Sequence, residues 1–168
     1  CNSIDSIIDV RSPSEFLDDH MPNAINLPVL DDVQRASIGI IHSQSSPFEA
    51  KRAGAALVAQ NIALYLQKEL AEKDRDWRPL IYCWRGGHRS GAMAKIFSDI
   101  GWHTNVIEGG YKAYRKTVLD GLNHLPRQFQ LIVLSGATGT AKTHILRAAA
   151  TRGAQVLDLE KLANFHFL

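Results

Sequence analysis

The chain has 168 residues, 45% of them hydrophobic, and a formal net charge of +2 at neutral pH. This length suits one well-buried domain and part of a second. No apolar run approaches the roughly 20 residues that a transmembrane helix needs, and no basic-then-apolar start predicts export. The near-neutral charge neither requires nor excludes a nucleic-acid partner.

The two cysteines, Cys1 and Cys83, are too few for a disulfide framework. A reducing, cytoplasmic environment with one working thiol is the simpler interpretation. The first residue is Cys1 rather than Met, which predicts a fragment or a trimmed chain.

The first predicted elements alternate between strands and helices. A short apolar run at Ser6–Val10 predicts a buried strand, and residues 18–28 predict a turn followed by a short strand. Ser46-Pro47-Phe48-Glu49 is typical of a helix start, because serine caps, proline fits the first turn and glutamate closes a capping box. This helix is expected to extend to about Glu72. The segment Pro79–Tyr82 predicts a strand that ends immediately before Cys83.

The next elements continue the alternation. Ser90–Ile100 predicts an amphipathic helix that ends at Gly101, Thr104–Ile107 predicts a strand, and residues 111–122 predict another helix. Strands that alternate with helices indicate an α/β domain, with a parallel sheet flanked by helices. The sequence therefore predicts one α/β domain over residues 1–122.

A second, partial unit is predicted at residues 130–168, after a linker at 123–129. Strands are expected at Gln130–Leu134 and Ala154–Leu159, with a glycine-containing loop and a helix to about Arg152 between them. A lone unit of this kind is expected to leave apolar surface uncovered.

Cys83 is predicted to be a catalytic nucleophile at the end of a buried strand. The active-site loop that follows it comprises Trp84, Arg85, Gly86, Gly87, His88, Arg89 and Ser90. The glycine pair lets several N–H groups converge, the next helix adds its positive end, and Arg85, His88 and Arg89 are expected to add side-chain donors. Such donors would lower the pKa of the thiol and hold a persulfide or selenosulfide anion. The alternative, an inert buried thiol, would need neither the glycines nor the basic residues.

Four segments resemble signatures of the rhodanese family. Asp9-Val10-Arg11, Glu15-Phe16 and residues 20–28 are similar to its N-terminal signature, and residues 101–110 to its C-terminal one. The resemblance covers residues 4–120 and implies a rhodanese-like fold, in which Asp9, Arg11 and Glu15 are structural. Five residues separate Cys83 from Arg89, one more than in common single-domain sulfurtransferases. Rhodanese-related dual-specificity phosphatases share this longer loop, which would fit a phosphate or a selenium donor.

Residues 136–143, the Walker-like loop, resemble a Walker A loop, whose backbone amides bind phosphates. The phosphate-binding candidates are Gly136, Gly139, Lys142 and Thr143. Lys142 would reach terminal phosphates, and Thr143 would serve a metal if one binds. Ala141 replaces the usual second glycine and is expected to strain the loop if that position requires a positive φ. The alternative is a degenerate loop kept for packing.

A rhodanese-like domain followed by a Walker-like loop resembles the bacterial tRNA 2-selenouridine synthase family. That family has a similar Cys-Trp-Arg-Gly-Gly segment and a similar string at Gly153–Glu160, whereas the residues after Glu160 depart from it, as in a truncated member. The resemblance implies a cytoplasmic selenotransferase that replaces the sulfur of wobble 2-thiouridine in tRNA with selenium, through a geranylated intermediate. Cys83 would carry the selenium.

Selenophosphate and geranyl diphosphate are the co-substrates that this resemblance implies. No tightly bound cofactor, metal site or membrane partner is expected, and tRNA is expected from the resemblance rather than from charge. The sequence does not choose which phosphate-bearing substrate the Walker-like loop binds. Three alternatives stay open: a generic sulfurtransferase, a phosphatase or arsenate reductase using the longer loop, and a non-catalytic rhodanese-type module.

Overall fold

A computed structural model describes residues 3–162 of the chain. The chain divides into two compact units, of which the first ends at His124 and the second begins at Leu125. Among the described residues, no helix combines the length and the apolar character that crossing a membrane would require.

The first unit is built on a four-stranded parallel sheet. Its strands are β1 (Ser6–Asp9), β2 (Ala24–Asn26), β3 (Pro79–Tyr82) and β4 (Asn105–Val106). They are ordered β2-β1-β3-β4, which makes β1 and β3 the central pair. Both central strands are short apolar runs, as expected for strands covered on two faces. The predicted parallel α/β fold is confirmed.

Five helices surround this sheet: α1 (Pro13–Asp18), α2 (Asp32–Gln44), α3 (Pro47–Gln67), α4 (His88–Ile100) and α5 (Gly110–His124). The predicted start of α3 is confirmed, since the Ser46 hydroxyl accepts a hydrogen bond from the Glu49 amide at 3.1 Å. The expected capping box is not closed, because the Glu49 carboxylate accepts from Arg52 Nη2 at 2.6 Å instead. The helix ends at Gln67, five residues before the predicted end at Glu72. The sequence analysis did not predict α1 and α2.

The two faces of the sheet carry different chemistry. Because side chains alternate along a strand, Ile8 and Ile81 point to one face, where they pack with Ile62 of α3 and Phe97 of α4 in the apolar core. Right-handed crossovers place α2, α3 and α4 on this face and α1 on the other. The other face receives the side chains of Asp9 at the end of β1 and of Arg11 just after it.

The Asp9–Arg11 ion pair is buried on that second face, with side chains 0% and 1% exposed. Arg11 Nη2 lies 2.7 Å from Asp9 Oδ2 and donates to the Asp19 carbonyl oxygen at 2.6 Å. The Arg11 guanidinium also lies 4.1 Å from the centroid of the Tyr111 ring. Such a pair joins β1, the end of α1 and the start of α5, and it supports the structural role expected for Asp9 and Arg11.

The second unit contains a short 3₁₀ helix (Leu125–Gln128), α6 (Lys142–Thr151) and α7 (Leu159–Leu162). The strands predicted at Gln130–Leu134 and Ala154–Leu159 are wrong, because neither segment is a strand in the structure. A strand requires a hydrogen-bonded neighbour, and within residues 3–162 neither segment has one. The expected uncovered apolar surface is present, since Ile132 is 95% exposed.

Residues 123–129, the predicted linker, are mostly helical. Helix α5 continues to His124, and the 3₁₀ helix then takes up Leu125–Gln128. Pro126 lies within the 3₁₀ helix, where short helical turns accept it.

Candidate active site

Cys83 follows β3 at the carboxyl end of the sheet, where functional groups of parallel α/β folds collect. The residue is 4% exposed, and its sulfur accepts two hydrogen bonds. The Gly87 amide and the Ser90 hydroxyl each lie 3.3 Å from Cys83 Sγ. Helix α4 begins at His88, so both donors belong to the turn that starts this helix. The N-terminal end of α4 therefore faces the sulfur.

The pKa of Cys83 is lowered below the ordinary value of a thiol. Burial is the largest single influence and on its own would raise this pKa, because it disfavours the charged thiolate. The Ser90 hydroxyl and the backbone N–H groups of Ser90, Gly87 and Arg85 together outweigh burial, because their positive ends favour the thiolate. The site therefore stabilises a thiolate, which is the nucleophilic form of cysteine.

The Cys83 loop, residues 83–90, is interlocked with the start of α5. Gly86 and Gly110 both have positive φ, +67° and +59°. A Cβ on Gly110 would overlap the Cys83 carbonyl oxygen and the Gly86 nitrogen, and a Cβ on Gly86 would overlap the Ile107 carbonyl oxygen. Both positions therefore require glycine for conformation and for space.

The first N–H groups of α5 bind the backbone of the Cys83 loop. The Tyr111 amide donates to the Cys83 carbonyl oxygen at 2.9 Å, and the Lys112 amide donates to that of Trp84 at 3.0 Å. These N–H groups have no partner inside their own helix, so the loop carbonyls satisfy them. Two helix starts thus hold the loop, α4 at the sulfur and α5 at the carbonyls.

The sequence analysis expected the Arg89 side chain to donate to the sulfur of Cys83, and this expectation is wrong. Arg89 Nη1 lies 2.7 Å from Glu15 Oε2, and its Nη2 lies 3.3 Å from Oε1, so the pair is bidentate. Arg35 of α2 approaches the same carboxylate at 3.5 Å. Burial alone would raise the pKa of Glu15, but the hydrogen bond and charge of Arg89 lower it. Glu15 is therefore an ionised counter-ion that fixes the loop arginine.

The side chains of Arg85 and His88 are exposed, and neither donates to Cys83 Sγ. The expectation that these side chains join the donor ring is therefore corrected for the described residues. Backbone N–H groups and the Ser90 hydroxyl form the ring instead, because only they point inward where the loop turns into α4. Trp84, the remaining loop side chain, is partly exposed beside Tyr111.

The Walker-like loop lies in the second unit and is held mainly by its own atoms. Lys142 Nζ donates to the carbonyl oxygens of Gly136 at 2.8 Å and Ala137 at 2.7 Å. Gly139 has a φ of +84°, and Thr143 follows Lys142 in the first turn of α6. The Lys142 side chain thus binds carbonyl groups of the loop to which it belongs.

Ala141 occupies the left-handed region, with a φ of +58° and a ψ of +25°. The position therefore does require a positive φ, which an alanine adopts at a cost of about 1 kcal/mol or more. Ala141 is also the N-cap of α6 and offers no side-chain acceptor to the helix. The substitution of the usual glycine strains this loop as expected.

The sequence analysis missed three parts of the site. Ser90 was placed in the loop without a specific role, although a hydroxyl in the first turn of the helix after a nucleophile can reach back to it. The partnership between Glu15 and Arg89 joins residues 74 apart in sequence, and no local pattern signals it. The role of Gly110 was equally hidden, since its contact with Cys83 is tertiary.

Comparison with known proteins gives a consistent result. The model of the rhodanese-like domain family matches residues 1–117. Among curated relatives, the tRNA 2-selenouridine synthase of Nitrosomonas europaea is 34% identical over 158 residues, covering 94% of this chain and 41% of the relative. The enzyme of the same name from Proteus mirabilis is 36% identical, covering 94% and 42%. The chain thus spans about two fifths of the length of these relatives.

A solved structure agrees with the family match. The N-terminal domain of a proposed ATP/GTP-binding protein from Clostridium difficile 630 superimposes with a TM-score of 0.58 at 38% identity. The match covers 67% of this chain and 88% of that domain. With the four-stranded parallel sheet and a family match over most of its length, the chain belongs to the rhodanese-like domain family.

Proposed function

We propose that the Cys83 loop is the chalcogen-carrying site of a tRNA 2-selenouridine synthase. The observation that carries this proposal is the thiolate-stabilising ring around Cys83, formed by Gly87, Ser90 and neighbouring amides. When a sulfur or selenium atom is attached to Sγ, the negative charge moves to that atom, one bond further out. The same donors therefore also fit a persulfide or selenosulfide. The similarity to selenouridine synthases over 94% of the chain supports selenium as the transferred element.

The transfer step starts from the thiolate form of Cys83, which the Ser90 hydroxyl and the neighbouring amides favour. A bond forms between Sγ and the terminal chalcogen of the donor, while the bond from that chalcogen to its carrier breaks. The carrier leaves with the electron pair. With thiosulfate as donor, sulfite leaves; with selenophosphate as donor, the same displacement releases phosphite, because phosphorus takes up the two electrons that formation of the Sγ–Se bond sets free. The charge then resides on the terminal chalcogen, beside the positive end of α4.

In the whole reaction that we propose, sulfur of wobble 2-thiouridine is replaced by selenium from selenophosphate, through a geranylated intermediate. The Walker-like loop would bind the phosphate-bearing co-substrate, either selenophosphate or geranyl diphosphate, through Gly136, Gly139, Lys142 and Thr143. Loops of this kind bind phosphate through backbone N–H groups and a lysine. Lys142 would have to leave its present carbonyl partners to reach such a ligand.

A generic sulfurtransferase is the second candidate, because the donor ring recognises the anion and not the element. A phosphatase fits the geometry less well. A phosphate ester would need a free guanidinium and a general acid, whereas Arg89 is already paired with Glu15.

Mass spectrometry of the chain after exposure to selenophosphate, thiosulfate or an aryl phosphate distinguishes these functions. We expect selenophosphate to add selenium to the peptide that contains Cys83, and we expect Cys83→Ser to lose the adduct. An adduct from thiosulfate alone would favour the generic sulfurtransferase. Release of phosphate from the aryl ester, lost in Cys83→Ser, would instead establish a phosphatase.

A further inference from the structure

Trp84 is a partly exposed aromatic residue immediately beside the nucleophile. It is 36% exposed, whereas the other two tryptophans, Trp77 and Trp102, are buried in the core. One part of the indole packs against the Tyr111 ring, with centroids 5.8 Å apart, and the Arg11 guanidinium lies 5.9 Å from the indole centroid. Trp84 thus presents a ring whose position is set by buried neighbours and whose remaining surface meets solvent.

Four exposed basic residues lie beside Trp84 in the sequence or on the helix that is hydrogen-bonded to it. Arg85 follows Trp84 directly, and α5 carries Lys112, Arg115 and Lys116, which share one face because they are three and four positions apart. The helix is attached to the loop, since the Lys112 amide donates to the Trp84 carbonyl oxygen at 3.0 Å. We call these five residues the Trp84 surface.

The cations of the Trp84 surface are not neutralised by the protein. Within residues 3–162, none of the four forms an ion pair with a carboxylate, whereas Arg11, Arg35, Arg52, Arg89 and Lys95 all do. Three carboxylates lie near these residues. Glu108 precedes α5 by two residues, Asp19 interacts with Tyr111, and Asp120 follows Lys116 by four positions on α5. Four cations against three carboxylates leave a net positive surface.

We propose that the Trp84 surface binds single-stranded RNA, with an unpaired base stacked on Trp84 and phosphates contacting Lys112, Arg115 and Lys116. A fixed aromatic ring among cations is the arrangement by which proteins hold single strands. A duplex keeps its base faces covered, and an acidic peptide would use the cations but not the ring. The inference rests on the proposed function only in naming tRNA as the source of the strand.

The location gives this surface a role in the reaction. A base stacked on Trp84 lies one residue along the chain from the sulfur that would carry the chalcogen. The hydrogen bond between Lys112 and Trp84 joins the phosphate-binding helix to that same loop. Binding of the strand would therefore position its base near Cys83.

The test measures fluorescence anisotropy of a labelled heptauridylate titrated with the whole chain at several salt concentrations. We expect Trp84→Ala to weaken binding by about tenfold, and Trp84→Phe to retain most of the affinity, because a ring remains. Lys116→Glu should make the slope of log affinity against log salt shallower by roughly 0.7, the value of one phosphate contact on a single strand. Lys51→Glu, an equal charge change on the exposed side of α3, is the matched control.

Three outcomes would overturn the inference: unchanged affinity in Trp84→Ala, equal binding of a duplex of the same length, or an equal loss in Lys51→Glu. Near-ultraviolet circular dichroism of Trp77 and Trp102 reports whether each variant is folded. If Trp84→Ala does not fold, the comparison of Lys116→Glu with Lys51→Glu decides.

Loading of Cys83 separates this inference from the proposed function. A chain that takes selenium on Cys83 but binds the strand no better than the duplex retains the function and loses the Trp84 surface. A chain that binds through Trp84 but takes no selenium from selenophosphate retains the surface and loses the function.

Discussion

The Cys83 loop and the Walker-like loop contain similar residues, yet the protein supports them very differently. Each has glycines, followed by a basic residue and a hydroxyl in the first turn of a helix. The backbone of the Cys83 loop accepts hydrogen bonds from the first amides of α5, and the side chain of Arg89 is held by Glu15. The Walker-like loop is exposed at residues 136–141, and its lysine binds its own carbonyls. Glycines and donors thus make a rigid site only where a second element packs against them.

The largest expected difference concerns two positive-φ glycines, Gly110 at the start of α5, which packs against the Cys83 loop, and Gly139 in the Walker-like loop. Gly110→Ala should destabilise the first unit by about 3 kcal/mol, because a left-handed alanine costs about 1–2 kcal/mol and the overlap with the Cys83 loop costs a similar amount again. Gly139→Ala in the Walker-like loop meets no atom within 4 Å and should leave the first unit unchanged. Urea unfolding followed by tryptophan fluorescence measures this, since all three tryptophans precede residue 125.

Gly91→Ala is the control beside the Cys83 loop. Gly91 lies within α4, and an added Cβ would meet nothing within 4 Å, so the change should not destabilise the first unit. A loss in Gly91→Ala as large as in Gly110→Ala would show that the overlap with the Cys83 loop is not what makes Gly110 necessary.

A smaller effect is expected at the sulfur itself. Ser90→Ala removes a donor to the thiolate, so the pKa of Cys83 should rise and its alkylation by iodoacetamide at neutral pH should slow by about tenfold. The rate should recover as pH increases, because the thiolate fraction then returns. Peptide mass spectrometry follows Cys83 specifically.

Ser98→Ala, at an exposed position of the same helix, should alkylate at the original rate. An unchanged pH profile in Ser90→Ala would mean that the amides alone set the reactivity of Cys83.

The smallest effect is expected in the Walker-like loop. Ala141→Gly should relieve about 1 kcal/mol of strain at a φ of +58° and tighten binding of inorganic diphosphate by about fivefold. Lys142→Ala should weaken the same binding. Isothermal titration measures both, and equal affinities in all three chains would identify a loop that is kept for packing.

Sequence predicted the central strands and the cysteine loop well, because their signals are local. Pro79–Tyr82 is an apolar run bounded by turn residues, and Gly86 and Gly87 follow the cysteine directly. The predicted strand at Gln130–Leu134 had the same apolar character and was wrong. A strand depends on a neighbour that hydrophobicity along one segment cannot supply.

The chemistry of the site was less predictable than its position. A basic loop suggested side-chain donors, but Arg89 turns to Glu15, a residue 74 positions earlier. The amide and hydroxyl donors that replace it depend on how the loop enters α4. Ala141 is the opposite case, since departure from a glycine pattern correctly predicted strain before the backbone angle was known.

The two hydrogen bonds from α5 to the Cys83 loop set the shortest fragment of this chain that can keep the site intact. The nucleophile is residue 83, but the backbone that aims it is complete only when the amide of Lys112 is present. A fragment that ends after β4 would contain the cysteine and its nearest donors, yet its loop carbonyls would be left to water. During synthesis, likewise, the thiol emerges almost thirty residues before the segment that fixes it. A minimal version of this site must therefore extend through the first turn of α5.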